Sequence, residues 1–223
     1  MTTAHARAPK QSRSRQSFDR VLDAAAALLA EGGNHALTLA EVSRRSKVSI
    51  GSIYCRVESK DDLIRAVQVR VFEQMDQEFS GAVNRIRRRS LPLAELVPTL
   101  VREQALFMKR HARLINAFIE RAPHDPVVQA TGRKFYAQIS LDFKLLLLER
   151  HSEFRHADPE HAAATCHAIV HGVLARYLGL GGGAETGAGE GDWRQLVEDL
   201  GLMTLAFLAT DLREIVRQNG ATA

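Results

Sequence analysis

Apolar residues recur at intervals of three and four along most of the chain, and this spacing is typical of amphipathic α-helices. The pattern is clear in SFDRVLDAAAALLAE and again between Leu63 and Phe79. No segment shows a convincing alternation of apolar and polar residues, which a half-buried β-strand would require. We therefore predict an all-α protein of about nine helices.

Residues that start or stop helices divide this pattern into elements. Gly32 and Gly33 end the first helix, because glycine readily adopts the left-handed conformation that follows a helix. Thr38 and Glu41 have the spacing of a capping box, which predicts that a second helix begins at Thr38. Ser49 opens a short third helix. Later helix starts are marked by prolines in SLPLAEL, HDPVVQA and ADPEHAA.

Positive charge is concentrated in the first quarter of the chain. Residues 1–60 carry ten Lys and Arg against five Asp and Glu, whereas the other 163 residues carry twenty against twenty-one. This distribution is expected of a polyanion-binding head on a nearly neutral body, although a basic disordered tail is the alternative. We predict a disordered basic tail over 1–14, a DNA-binding domain over 15–60 and a helical body over 61–223.

Cysteine usage and hydropathy restrict the setting in which the chain acts. Cys55 and Cys166 cannot form a disulfide framework, which favours a reducing cytoplasm. The N-terminal residues lack the apolar segment of a signal peptide, and the longest apolar runs are shorter than a membrane span. We therefore expect a cytoplasmic protein without a membrane partner.

The short helices between Thr38 and Tyr54 have the layout of a helix-turn-helix. A helix that enters the DNA major groove, about 12 Å wide, needs small or hydrogen-bonding residues at its start. Ser49, Gly51 and Ser52 meet this need, and Lys60 lies at a helix N-terminus, which is a natural phosphate site. The candidate DNA contacts are Thr38, Arg44, Arg45, Lys47, Ser49, Ile50, Gly51, Ser52, Tyr54, Arg56 and Lys60; for Arg44 and Arg45, a purely solvated role is an open alternative.

The run VLDAAAALLAEGG, followed by TLAEVSRRSKVSIGSIYCRVESKDDLIRAV, resembles the DNA-binding domain of the tetracycline-repressor (TetR-like) family. Lys47 stands where that family commonly has a turn glycine, so we expect a positive φ at a cost of about 1 kcal/mol. Val57 and Cys55 stand at positions that are often aromatic, and we interpret Cys55 as a small packing residue. The matching positions are Gly33, Thr38, Val42, Val48, Ser49, Gly51, Ile53, Tyr54, Ser59, Lys60 and Leu63.

The resemblance implies that the body binds a small molecule and forms a homodimer through its last two helices. The final helix is apolar on two sides, which agrees with burial on both, although intrachain core is the alternative. The predicted dimer residues are Cys166, Val170, Val173, Tyr177, Leu200, Met203 and Phe207. The predicted ligand residues, on helices that line the pocket in such regulators, are Phe107, Met108, His111, Phe118, Phe135, Tyr136, Phe143 and His171.

The resulting prediction is a ligand-responsive transcriptional repressor, with an activator as the open alternative, which binds a near-palindromic DNA operator as a homodimer. A small-molecule effector would release it. We predict no cofactor and no catalytic residue, because no motif supplies a nucleophile, a base and a group that orients the base. We also predict no metal site, because His167 and His171 lack the glutamate of an H-E-x-x-H motif. The alternatives are a sequence-nonspecific nucleic-acid-binding protein and an all-helical metal-binding protein or enzyme.

Overall fold

The computed structural model describes residues 8–181, 189 and 191–211. Within these residues the chain forms eight α-helices and no β-strand, so the predicted all-α fold is confirmed. The described part leaves out residues 1–7, which belong to the predicted tail. It also leaves out 182–188 and 190, in a glycine-rich stretch of the sequence, and 212–223. The helices are α1 (Ala8–Ala36), α2 (Leu39–Ser46), α3 (Ile50–Tyr54), α4 (Lys60–Arg88), α5 (Leu93–Arg121), α6 (Pro126–Leu148), α7 (Pro159–Tyr177) and α8 (Trp193–Ala209), with 3₁₀ turns at Ala122–His124 and His151–Glu153.

The chain divides into two compact units. The first comprises Met1–Gln74 and Arg113–Gly132, and the second comprises Met75–Ala112 and Arg133–Ala223. Helices α4, α5 and α6 each contribute residues to both units. The units therefore do not follow helix ends, and the domain boundary expected near residue 60 stays a prediction.

Helix α1 begins earlier in the chain than the sequence pattern indicates. It includes residues 8–14, which the sequence analysis assigned to a disordered tail. Arginine and glutamine have good helix propensity, and the Arg56 guanidinium donates a hydrogen bond to the Ser14 hydroxyl. Helical conformation is interrupted at the two glycines, where Gly33 adopts a φ of 61°. The interruption falls where the sequence predicts it.

The core of the first unit holds the three N-terminal helices together. Val21, Leu28 and Leu29 of α1 are buried together with Val42 of α2 and Ile53 of α3. Helix α2 packs against both α1 and α3. Because α3 is so short, its position depends on this core rather than on its own hydrogen bonds.

Thr38 and Ser49 cap α2 and α3 as predicted, but the capping box of α2 forms only in part. Thr38 Oγ1 accepts a hydrogen bond of 3.2 Å from the Glu41 amide, which is half of a capping box. The Glu41 carboxylate does not return the bond, because Arg44 and Arg45 bind it. Ser49 Oγ caps α3 by accepting a 3.2 Å hydrogen bond from the Ser52 amide.

The second unit is a helical body with a mostly apolar core. Phe79, Phe143 and Leu174 are fully buried in it. A Cβ atom at Gly201 of α8 would lie 3.2 Å from the Pro98 Cα of α5, so these two helices approach closely. The absence of a side chain at Gly201 therefore permits this packing.

Candidate nucleic-acid interface

Helix α3 has one buried side and one side that no other part of its unit covers. Ile53 is fully buried, whereas Ile50 is 40% exposed and Tyr54 is 51% exposed. Ser49, Gly51 and Ser52 are also exposed. A Cβ atom at Gly51 would have no atom within 4 Å. Packing among the described residues therefore gives no reason for a glycine at this position.

The two serines of this surface are held in a fixed arrangement. The Ser49 and Ser52 hydroxyl oxygens are 2.9 Å apart, and either hydroxyl can donate in this pair. Each hydroxyl has a single proton. Whichever serine donates, the other keeps its proton available for an external acceptor such as a base edge or a phosphate. The cap thus orients a donor as well as starting the helix.

The turn before α3 contains the conformation expected from the sequence. Lys47 adopts φ 56° and ψ 35°, which is the left-handed region. A non-glycine residue there costs about 1 kcal/mol, and the lysine also places an exposed positive charge in the turn. The turn residue therefore costs stability but adds a charge that can interact with a polyanion.

The arginines of α2 are paired with carboxylates. Arg44 Nη2 lies 2.6 Å from Glu41 Oε1, and Arg45 binds both Glu41, at 2.9 Å, and Glu31, at 2.7 Å. Hydrogen bonds from Arg44 and Arg45 lower the pKa of Glu41 to about 2. All four groups are charged at neutral pH, so this cluster carries no net charge. Their predicted role as DNA contacts remains untested.

Lys60 and Arg56, also predicted to bind DNA, have partners within the first unit. Lys60 Nζ donates a 3.1 Å hydrogen bond to the Asn34 carbonyl. The Arg56 guanidinium carbon lies 5.7 Å from the centre of the Phe18 ring. Each contact joins residues at least 26 positions apart in sequence, so local spacing gives no signal for them. Any contact of Lys60 with phosphate would have to compete with Asn34.

Two departures from the family pattern occur at the end of α3. Val57 is buried, in agreement with a packing role. Cys55 is exposed, so its interpretation as a packing residue is wrong. Cys55 follows the fully buried Ile53 by two positions, and residues two apart on a helix point in nearly opposite directions.

The residues predicted to bind a ligand fall into separate groups. Phe118 belongs to the first unit, where its ring centre lies 5.3 Å from that of Phe72. In the second unit, Phe107 packs against Phe79 at 5.1 Å and against His111 at 5.0 Å. His111 also bonds Glu78 at 2.9 Å, Met108 is buried, and Phe135 is half-buried.

Another group in the second unit combines aromatic rings with two histidines. The Tyr136 ring centre lies 4.8 Å from His171 and 5.6 Å from His167. Phe143 lies 5.3 Å from His167, and the two imidazoles are 5.7 Å apart. The sequence spacing of His167 to His171 indicates no role for His167 beyond that of a candidate metal ligand. The structure places it at the centre of this aromatic group.

The residues predicted to form a dimer interface are also divided between core and surface. Cys166, Val170 and Leu200 are buried within the chain. Met203 is 65% exposed, and the neighbouring Leu202, which the sequence analysis did not select, is 62% exposed. Ile169 of α7 is likewise exposed, whereas Val173, Tyr177 and Phe207 are half-buried.

Two other kinds of feature are absent from the described residues. No group of three or more His, Cys, Asp or Glu residues there could hold a metal ion. None of the helices in that part of the chain has the length and hydropathy required to cross a membrane.

The segment that contains the short helices α2 and α3 also matches a family of known proteins. Residues 21–67 match a family model described as bacterial regulatory proteins, tetR family. Residues 21–67 are a TetR-family domain. The resemblance inferred from the sequence is therefore confirmed, and its matching segment contains α2, α3 and the turn between them.

A curated relative is similar to part of the chain. The HTH-type transcriptional repressor KstR of Rhodococcus jostii is 30% identical over 89 residues, which cover 39% of this chain and 42% of KstR. The chain thus matches less than half the length of this curated relative.

Solved structures resemble the chain over most of its length. A protein from Mesorhizobium loti described as a TetR-family transcriptional regulator has a TM-score of 0.73 at 15% identity, covering 88% of this chain and 97% of that one. The transcriptional regulator FadR of Bacillus subtilis, in complex with stearoyl-CoA, has a TM-score of 0.63 at 15% identity, covering 86% and 99%. The helical fold of such regulators therefore extends beyond the N-terminal domain.

Proposed function

We propose that this chain is a ligand-responsive transcriptional repressor that binds a near-palindromic DNA operator as a homodimer in the cytoplasm. The observation that carries the proposal is the exposed side of α3. It presents small and polar residues around Gly51, and no packing among the described residues explains this choice. A major groove would explain it, because close approach of the backbone needs small side chains.

A second copy of the chain is the proposed partner of the apolar surface on α7 and α8. Ile169, Leu202 and Met203 are large, apolar and exposed. Exposed apolar patches on a soluble protein often mark interaction sites, and homodimers use the same patch on both subunits. We place the interface on these residues and retain Val173, Tyr177 and Phe207 from the sequence prediction at its margin.

The effector is proposed to bind in the second unit. FadR of Bacillus subtilis, which shares the fold, was solved with stearoyl-CoA, and this supports a ligand-binding role for the helical body. A ligand that prefers a different arrangement of the body would shift the population of molecules that can bind DNA. No step of this mechanism requires a catalytic group.

Selection of bound duplexes from a random DNA pool tests the proposed function. We expect enrichment of a near-palindrome whose half-sites are separated by about one helical turn, or a multiple of it. Light scattering of the complex should give at least two chains per duplex. Equal retention of all sequences, with affinity that depends only on salt, would instead indicate nonspecific polyanion binding.

A further inference from the structure

The second unit contains two histidines whose buried ring nitrogens lack hydrogen-bond partners. His167 Nε2 and His171 Nδ1 are inaccessible to solvent and have no partner among the described residues. His167 as a whole is only 1% exposed. Buried polar atoms are normally hydrogen-bonded, so an unpaired pair on consecutive turns of one helix calls for an explanation.

The surroundings of the two imidazoles indicate which chemistry they would accept. Tyr136 and Phe143 of α6 supply the aromatic neighbours. His171 and then Lys144, the residue after Phe143, are the charged groups that act on His167, and both disfavour a positive charge on its ring. The carboxylate of Asp142, the residue before Phe143, is engaged by Ser80 and Gln138.

We propose that His167 and His171 form the recognition site for the carboxylate group of an organic acid, with the apolar part of that acid against Tyr136 and Phe143. This proposal names the effector class and rests on the proposed function. Both unpaired nitrogens can donate to carboxylate oxygens when one ring is protonated and the other is the neutral tautomer that carries its proton on that nitrogen. Lys144 would contribute further attraction for a negative charge.

Binding of a carboxylate should be coupled to uptake of a proton. Burial, followed by the charges of His171 and Lys144, lowers the pKa of His167 to about 4, and burial lowers the pKa of His171. Both rings are therefore neutral at pH 7 in the free protein. A bound carboxylate favours the charged form and raises these pKa values. Affinity should increase as the pH falls towards the pKa of the free site.

Isothermal titration of the full chain with benzoate, in the absence of DNA, tests this coupling. We expect binding that tightens about tenfold per pH unit between pH 7 and pH 5, as the uptake of one proton requires. Benzamide, a neutral molecule of similar shape, should bind at least tenfold more weakly and without this pH dependence. No benzoate binding at millimolar concentration, or equal binding of the two probes, would overturn the proposal.

Matched variants test which histidine causes the pH dependence of benzoate binding. His167→Gln should remove the pH dependence and weaken benzoate binding about tenfold or more, whereas His161→Gln, at an exposed position of the same helix, should leave both unchanged. Imidazole ¹⁵N spectra of the unmodified protein give a test that needs no variant. Benzoate should bring His167 into its charged form near pH 6, and an unchanged neutral spectrum would contradict the site.

The benzoate titration and the DNA selection test the carboxylate site and the proposed function independently. If benzoate fails to bind while the chain still selects a near-palindrome as a dimer, the carboxylate site is wrong and the proposed function stands. If benzoate binds with proton uptake but no DNA sequence is enriched, the site stands and the proposed function is wrong.

Discussion

Helix α3 in the first unit and the α7–α8 surface in the second unit are both exposed, but their chemistry is opposite. Helix α3 presents Ser49, Gly51 and Ser52, and its exposed hydroxyls can bond to polar groups. The α7–α8 surface presents Leu202 and Met203, which cannot. The first surface suits a hydrated, charged partner, whereas the second suits an apolar partner such as another copy of the chain.

The comparison shows that residue type alone does not reveal which surface a residue serves. Ile50 and Ile53 belong to the same short helix, yet one is exposed and the other is fully buried. On α7, Ile169 is exposed while the adjacent Val170 is buried. Orientation in the folded chain decides the role in both regions.

The largest effect is expected when charge is placed on the apolar surface. Leu202→Glu combined with Met203→Glu should give monomers at micromolar concentration, because four carboxylates would meet across the two-fold axis. DNA affinity should fall about a hundredfold or more, because a monomer carries one DNA-binding domain where the dimer carries two. Light scattering and operator binding measure the two effects.

The matched control for this variant is Leu141→Glu combined with Leu145→Glu, which adds the same two charges at other exposed apolar positions of the second unit. It should remain a dimer. If the double variant of Leu202 and Met203 also stays dimeric, the α7–α8 surface is not the dimer interface. The assignment of that surface to a second copy of the chain would then be wrong.

The two isoleucines of α3 give the next largest expected effect. Ile53→Ala should lower the free energy of unfolding by about 2 to 4 kcal/mol, since it removes a fully buried side chain. Ile50→Ala should cost less than about 1 kcal/mol but should weaken operator binding. Urea unfolding and DNA titration separate the two. Similar stability losses for both variants would contradict the assignment of inner and outer sides.

A smaller effect concerns the buried histidine. Because the pKa of His167 is lowered to about 4, the unfolded chain binds protons more readily between pH 6.5 and pH 4, and stability falls across this range as the pH drops. The full contribution of His167 is about 3 kcal/mol, since the shift from 6.5 to about 4 is about 2.5 pKa units and one unit corresponds to about 1.4 kcal/mol. His167→Gln should remove this part of the pH dependence in unfolding measurements, whereas His161→Gln should retain it.

Local sequence signals predicted the N-terminal fold well because they report local physical requirements. Thr38 and Ser49 cap helices as predicted, Gly33 adopts a left-handed φ, and Lys47 adopts a positive φ. Each of these features depends on a few consecutive residues. The all-α class follows from the same helical spacing, repeated along the chain.

Contacts between distant residues could not be predicted in this way. Lys60 bonds the Asn34 carbonyl, and Arg45 bonds Glu31, so two predicted DNA contacts have intramolecular partners. Phe118 and Phe107 are both predicted ligand residues, but Phe118 packs in a different unit from Phe107. These facts depend on tertiary packing, which residue spacing does not specify.

The most direct test of the account compares Gly51→Ala with Gly81→Ala, a helical glycine of the second unit with comparable space around it. Both variants should raise the free energy of unfolding by about 0.5 to 1 kcal/mol, because alanine favours a helix over glycine. Gly51→Ala alone should weaken binding to the selected operator, by about tenfold, while leaving binding to a scrambled duplex unchanged. Equal operator affinities for the two variants would contradict a DNA-reading role for the exposed side of α3.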